Sequence, residues 1–244
     1  MAIITKDAKY LPRAQALSRK LGIPFFDEKT QKRFFLCVDE RLSLEVNDGE
    51  KAGSLSIDYS SGAINFRRLS GKQLLLKAVG GSGKNVLDST AGLGRDAFIL
   101  ASFGCKVRAI EKSPIIGELV LDALARCQSD ERLKKISGRL EFFVGESLGF
   151  IKTLAVNSFD TLYIDPMYPE KKKTALPKKE MIVLQKFFGT EPEEVNLQEI
   201  FEEGAKKFRR IVVKRPIKGP ELFPGVKVKF RGSTTRFDVY VFEN

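Results

Sequence analysis

The 244-residue chain contains no histidine. That absence removes Ser-His-Asp hydrolysis, Cys-His nucleophilic chemistry and the usual histidine-bearing catalytic metal sites. Cysteine is scarce. Cys37, Cys105 and Cys127 are odd in number and too scattered for a disulfide framework or a zinc site, so they read as small core residues, and no metal ion is expected. No apolar run approaches the roughly 20 residues that span a bilayer; the longest uncharged one is the nine residues Ala97 to Cys105. The opening MAIITKDAKYLPR lacks the apolar core of a secretory signal. Internal repeats and low-complexity linkers are also missing. These absences lead to the expectation of a soluble, cytoplasmic protein with no membrane partner.

What is present is ordinary in bulk, with 43% hydrophobic and 30% charged residues, and the length suits one large domain plus an appendage. Charge is the exception. Forty-two Lys and Arg against 31 Asp and Glu give a net charge of +11, which points to a polyanionic partner, although a merely basic surface would have the same composition.

Along the chain, AKYLPRAQALSRKL (8–21) has helical apolar spacing and stops at Gly22. The runs RFFLCV, RLSLEV, SLSIDY and AINFRR alternate like strands, with NDGE and SSG as turns, so residues 1–70 are expected to form a small β-rich domain. After the helical GKQLLLKAV the rhythm changes. NVLD, KVRAIE, LEFFV, DTLYID and RIVVKR read as five strands, with RDAFILASFG, PIIGELVLDALARC, the stretch from Lys178 to Phe188, and NLQEIFEEGAKKF as helices. VKVKFRG and STTRFDVYVF close as an antiparallel hairpin. Such alternation over residues 71–244 predicts a parallel sheet with helices on both faces and ligands at the carboxyl ends of its strands.

The stretch VLDSTAGLGRDAFIL (86–100) carries Gly92, Gly94 and Ala97 in a G-x-G-x-x-A pattern. A pyrophosphate needs the first glycine directly after the strand, so that the helix N-terminus points its N–H groups at the phosphate. Here the four residues Asp88 to Ala91 intervene. The wider turn suits a ligand with a charged amino-acid tail: Asp88 can meet an ammonium group, and the glycines allow close backbone approach. Glu111, nineteen residues beyond Gly92, closes the second strand and can accept both hydroxyls of a ribose, in S-adenosylmethionine as well as in NAD. GGSGKN (80–85) fails as a P-loop, because Asn85 stands where Ser or Thr is required and the segment precedes its strand.

At the end of the fourth strand, DTLYIDPMYPEKKKTALPKKEM (160–181) sets Asp165, Pro166 and Tyr168 beside the expected cleft. An exocyclic amine is conjugated with its base and weakly nucleophilic, so its lone pair must be aimed at an electrophilic methyl. The Asp165 carboxylate and the Pro166 carbonyl can accept the amine hydrogens while Tyr168 stacks on the base. No strong base is needed before transfer, which suits a chain without histidine. A plain Pro-rich turn is the alternative reading of the same residues. Lys171, Lys172, Lys173, Lys178 and Lys179 follow directly and can hold nucleic-acid phosphates over the cleft; Lys214 and Arg215 end the fifth strand on the same expected edge.

Taken in order and spacing, DSTAGLGRDAFILASFGCKVRAIEKSP, DPMYPEKKKTALPKKEM and VVKRP resemble the ribosomal small-subunit methyltransferases of the RsmJ type, which methylate the N2 amine of a guanine in 16S rRNA with S-adenosylmethionine. The likeness is close over residues 70–244 and loose before them. It implies an α/β fold, a Rossmann-like seven-stranded class I methyltransferase domain (71–244) behind the β-rich domain, with 16S rRNA or the small ribosomal subunit as partner. It also implies cofactor contacts by Arg95 and Asp96, by Glu111 and Lys112, by Glu146 and Ser147, and by Asp165. Where that family often has two small hydroxyl residues after the third strand, this chain has Glu146-Ser147. Other readings stay open: methylation of another exocyclic or amide nitrogen in DNA or protein, an NAD-dependent oxidoreductase, and a non-catalytic RNA-binding protein.

Overall fold

A computed structural model describes residues 1–27, 32–47, 53–60, 73–166, 179–189 and 196–243. The chain divides into two compact units, one comprising residues 1–58, 118–123 and 167–195, the other residues 59–117, 124–166 and 196–244. The AINFRR run lies outside the described residues.

In the first unit, β1 (Ala2–Ile4), β2 (Phe34–Val38), β3 (Leu42–Val46) and β4 (Gly53–Ser56) form a sheet in that order. β1 runs parallel to β2, and the other pairs are antiparallel. β3 alternates buried and half-buried residues, as a strand with one covered face must. Helix α1 (Leu11–Leu21) has Pro12 in its first turn and ends on Gly22 at φ 65°. A later helix of this unit, α7 (Lys179–Phe188), sets Val183 against Gly53 of β4, where a Cβ would lie 2.8 Å from the valine methyl. Phe187 also meets Phe34 edge-on at 5.4 Å.

The second unit holds α2 (Gln73–Ala78) and a seven-stranded sheet. Its strands are β5 (Asn85–Asp88), β6 (Lys106–Glu111), β7 (Leu140–Val144), β8 (Thr161–Ile164), β9 (Arg210–Pro216), β10 (Val228–Arg231) and β11 (Thr235–Val241), in the spatial order β10-β11-β9-β8-β5-β6-β7. β5 to β9 are mutually parallel where they pair, while β11 runs antiparallel to β9 and to β10. The strands therefore agree with the α/β expectation, including the closing hairpin. Val86, Leu87, Leu162, Tyr163, Ile164, Ile211, Val212 and Val213 are all fully buried, the continuous burial that a parallel sheet covered on both faces requires. Cys37, Cys105 and Cys127 are buried and unbridged, as expected of core residues.

The intervening helices are α3 (Arg95–Ser102), α4 (Pro114–Arg126), α5 (Glu131–Ser137), α6 (Ser147–Thr153) and α8 (Leu197–Lys207). Gly204 lets α8 approach the sheet closely, because a Cβ there would collide with Leu162. From β5 the chain proceeds through β6 to β7 on one side, whereas β8 and β9 lie on the other. That reversal opens a crevice at the carboxyl ends of β5 and β8, the place where such sheets bind ligands.

Candidate active site

The turn between β5 and α3 is held from several sides. The Ser89 N–H and hydroxyl both donate to the Tyr163 carbonyl, at 3.0 and 3.1 Å, which ties the turn to β8. The Ala91 N–H reaches the Ile110 carbonyl on β6 at 3.0 Å. Tyr59 lies flat on Phe98 at 4.3 Å and donates its hydroxyl to the Leu93 carbonyl at 3.0 Å. Gly92 and Gly94 take φ of 52° and 64°, a region that costs a side chain bearing a Cβ but not glycine. A Cβ on Gly92 would meet nothing within 4 Å, so this corner of the turn faces open space.

Three strand ends line up along this turn. Asp88, at the end of β5, is 1% exposed and accepts the Thr90 N–H at 3.1 Å. Burial pushes its carboxyl well above the usual range, and the neighbouring Asp96 and Asp165 add to the rise. At the end of β6 the Glu111 carboxylate takes the Gly92 N–H on one oxygen and the Ser113 N–H on the other, both at 2.8 Å, which fixes its orientation beside the turn. The Glu111 carbonyl accepts the Gly145 N–H at 2.9 Å, bringing in the segment after β7, where exposed Glu146 stands at the N-cap position of α6 without a side-chain capping bond and Ser147 is buried. Lys112 and Arg95 are half-buried next to Glu111 and Asp96 in sequence.

Beyond β8, Asp165 donates its N–H to the Thr90 hydroxyl at 2.6 Å, so the end of β8 abuts the glycine turn. Its carboxylate accepts from the Lys214 ammonium at 2.6 Å, and the same ammonium donates to Asp96 at 2.7 Å. The Asp96 oxygen that takes Lys214 also accepts the Tyr163 hydroxyl at 2.8 Å. Burial alone would lower the Lys214 pKa; the two carboxylates outweigh it and leave it raised, so the ammonium stays charged. Burial, then Asp96, Asp165 and Asp88, raise the Tyr163 hydroxyl well above its ordinary value, so it remains a neutral donor.

Asp88, Gly92, Gly94, Asp96, Glu111 and Asp165 are thus brought together, and Pro166 is buried next to Asp165. Tyr168, Lys171, Lys172, Lys173 and Lys178 lie outside the described residues, and Lys179 opens α7. Lys214 and Arg215 differ from the expectation of an RNA-facing pair. Lys214 is engaged by two carboxylates, and Arg215, on the opposite face of β9, is 4% exposed with its Nε donating to the Pro220 carbonyl at 2.9 Å. Successive strand residues point to opposite faces, so two adjacent residues could not have shared one surface. Tyr59, Thr90 and Tyr163 were not singled out from the sequence. Tyr163 sits between Leu162 and Ile164, which signals core packing, whereas Tyr59 and Thr90 lie in polar turn sequence, and nothing local shows that any of the three hydroxyls reaches the site.

An S-adenosyl nucleoside fits this arrangement: an acid fixed at the end of β6, an open glycine corner, and acids at the ends of β5 and β8. A profile of the SAM-dependent methyltransferase family, SAM being S-adenosylmethionine, matches residues 16–242. The chain is 38% identical to the ribosomal RNA small subunit methyltransferase J of Coxiella burnetii strain Dugway 5J108-111, over 100% of this chain and 97% of that protein. To the protein of the same name from Nitrosococcus oceani it is 39% identical, over 95% and 94% of the two chains. The crystal structure of a SAM-dependent methyltransferase from Neisseria gonorrhoeae superposes with a TM-score of 0.76 at 28% identity, covering 99% of this chain and 96% of that one. The chain therefore belongs to the SAM-dependent methyltransferases and, within them, to the ribosomal RNA small subunit methyltransferase J family. Among the described residues, no helix is long and apolar enough to cross a membrane.

Proposed function

We propose that this chain methylates the exocyclic N2 amine of one guanine in the 16S rRNA of the small ribosomal subunit. The observation that carries the amine as acceptor is Asp165: a carboxylate just past the carboxyl end of β8, on a residue whose backbone N–H donates to the Thr90 hydroxyl of the glycine turn at 2.6 Å. Bound S-adenosylmethionine supplies the electrophilic methyl. Asp165 and the Pro166 carbonyl accept the amine hydrogens and so aim the nitrogen lone pair along the line of attack. Tyr168 stacks on the base. A paired guanine hides this amine, so the acceptor is taken from a loop or flipped out of its stack.

In this reading Glu111 accepts the ribose hydroxyls, and Gly92 and Gly94 let the turn come close to the nucleoside. Asp88, Arg95 and Asp96 shape the end that receives the amino-acid tail, while Lys112, Glu146 and Ser147 frame the adenine side. Lys171, Lys172, Lys173, Lys178 and Lys179 grip rRNA phosphates. The test is transfer of labelled methyl to unmethylated small subunits. Asp165→Asn keeps the side-chain shape but makes one acceptor oxygen a donor, and kcat should fall about 100-fold, the size of effect expected from losing alignment. Normal transfer by Asp165→Ala would remove Asp165 from the mechanism.

A further inference from the structure

We propose that Lys214 is a positioning residue for the methyl transfer: its ammonium, held between Asp96 and Asp165, orients the Asp165 carboxylate and couples the acceptor side of the crevice to the cofactor turn. The inference deepens the function proposed above and rests on it.

The sheet register places this lysine. Val213 of β9 pairs with Ile164 of β8, so Lys214 is the next residue along and faces Asp165 just past the end of β8. β9 is ladder-bonded on both sides, with Phe237 of β11 opposite Lys214, so the base of the side chain cannot drift. An ammonium has three donors and no acceptor. Two of its directions are taken by Asp165 at 2.6 Å and Asp96 at 2.7 Å. Asp96 is itself anchored by the Tyr163 hydroxyl at 2.8 Å and sits one residue into α3, the helix that follows the glycine turn. The chain Tyr163–Asp96–Lys214–Asp165 therefore fixes one oxygen of the Asp165 carboxylate and, through it, the direction of the other.

Among the described residues, the charged and titratable groups that the structure sets around Lys214 include Asp88 on β5, Asp96 on α3, Tyr163 on β8 through Asp96, and Asp165 after it; on the β11 side its register partner is the neutral Phe237. Burial, then repulsion from Asp96 and Asp165, already raises the Asp88 carboxyl; without a cation between Asp96 and Asp165 one of those two is also driven to hold a proton or to swing away. Lys214 supplies that cation. Permanently charged between two acids, it is no base for the amine proton, and with both carboxylates at contact distance it is poorly placed to grip an RNA phosphate.

The experiment compares the parent enzyme with Lys214→Gln, which keeps a donor without the charge, and Lys214→Arg, which keeps the charge in a different shape. S-adenosylhomocysteine binding by calorimetry, and kcat, KM and the pH profile of methyl transfer to unmethylated small subunits, are read for each. Lys214→Gln should lose about 100-fold in kcat through misalignment with little change in KM for RNA, weaken S-adenosylhomocysteine binding far less than it lowers kcat, and show its acid limb at higher pH. Lys214→Arg should also lose kcat but leave the acid limb where it was; it carries the test should the neutral variant fail to fold. Parent-like kcat with an unmoved acid limb in Lys214→Gln, or parent-like kcat in Lys214→Arg, overturns the positioning role. A selective rise in KM for RNA would instead return Lys214 to phosphate binding. Failure of the parent enzyme itself to methylate rRNA overturns the functional reading, a result separate from either variant's.

Discussion

At the scale of single residues, the site holds one uncompensated buried acid and one compensated one, and two measurements tell them apart. Asp88 is buried with its carboxyl pKa raised above the ordinary 3.8. The folded protein thus holds this proton more tightly than the unfolded chain, and stability falls as pH rises past that ordinary value. Asp88→Asn keeps an oxygen for the Thr90 N–H and removes the charge. It should raise the melting temperature at neutral pH and have no such effect below the ordinary carboxylate range; equal melting temperatures at neutral pH would contradict the burial argument. Asp96 behaves oppositely, since its charge is compensated. Asp96→Ala removes one of the two carboxylates on the Lys214 ammonium, leaving Asp165, and takes the acceptor from the buried Tyr163 hydroxyl; denaturant titration should show a loss of about 3 kcal/mol, the usual result of removing one partner from a buried charged network.

At the scale of elements, helix α8 offers two checks. Asn196 caps it by accepting the Glu199 N–H at 3.2 Å, and Asn196→Ala should cost about 1 kcal/mol. Gly204→Ala should cost more, about 1–3 kcal/mol, because the new methyl drives into Leu162 and Ile211; a neutral result would mean that the helix can slide on the sheet. The central strands were legible because burial on both faces writes near-continuous apolar runs, as in β8; KVRAIE and LEFFV match β6 and β7 residue for residue, although β7 is a largely exposed edge strand that is apolar in sequence all the same. The strand β1 was missed because three residues show no period, and it is held by pairing with β2, some 30 residues on, and by a bridge from Ile3 to Phe25. Helices α5 and α6 are seven residues each, too short for periodicity to separate from loop, although Asp130 does cap α5 through the Leu133 N–H. The candidate site was legible where chemistry clusters in sequence, as at Asp88 to Gly94 and at Asp165, while Arg95 and Asp96 came only from the resemblance. It was illegible where partners come from distant elements: Lys214 meets Asp96 across 118 residues, and its lysine neighbours in composition suggested phosphates instead.

For the whole molecule, the net charge of +11 and the absence of histidine frame the account. Binding to rRNA should weaken steeply with salt. Replacing Lys171, Lys172, Lys173, Lys178 and Lys179 together by alanine should flatten the slope of log K against log salt by about 3.5, at roughly 0.7 per single-strand phosphate contact; an unchanged slope would move the RNA elsewhere. The cysteines play no part in this chemistry. All three are buried, and burial with the Asp39 contact pushes the Cys37 thiol up to about 12, so the native protein at pH 8 should resist alkylation that labels every thiol after unfolding. The central claim is tested most directly by identifying the nucleoside that receives the methyl group. Small subunits lacking the modification are incubated with the protein and labelled S-adenosylmethionine, and the rRNA is digested and mapped by mass spectrometry. A single N2-methylguanosine in 16S rRNA is predicted. Label at a ring nitrogen, at the ribose, in ribosomal protein, or nowhere would contradict it.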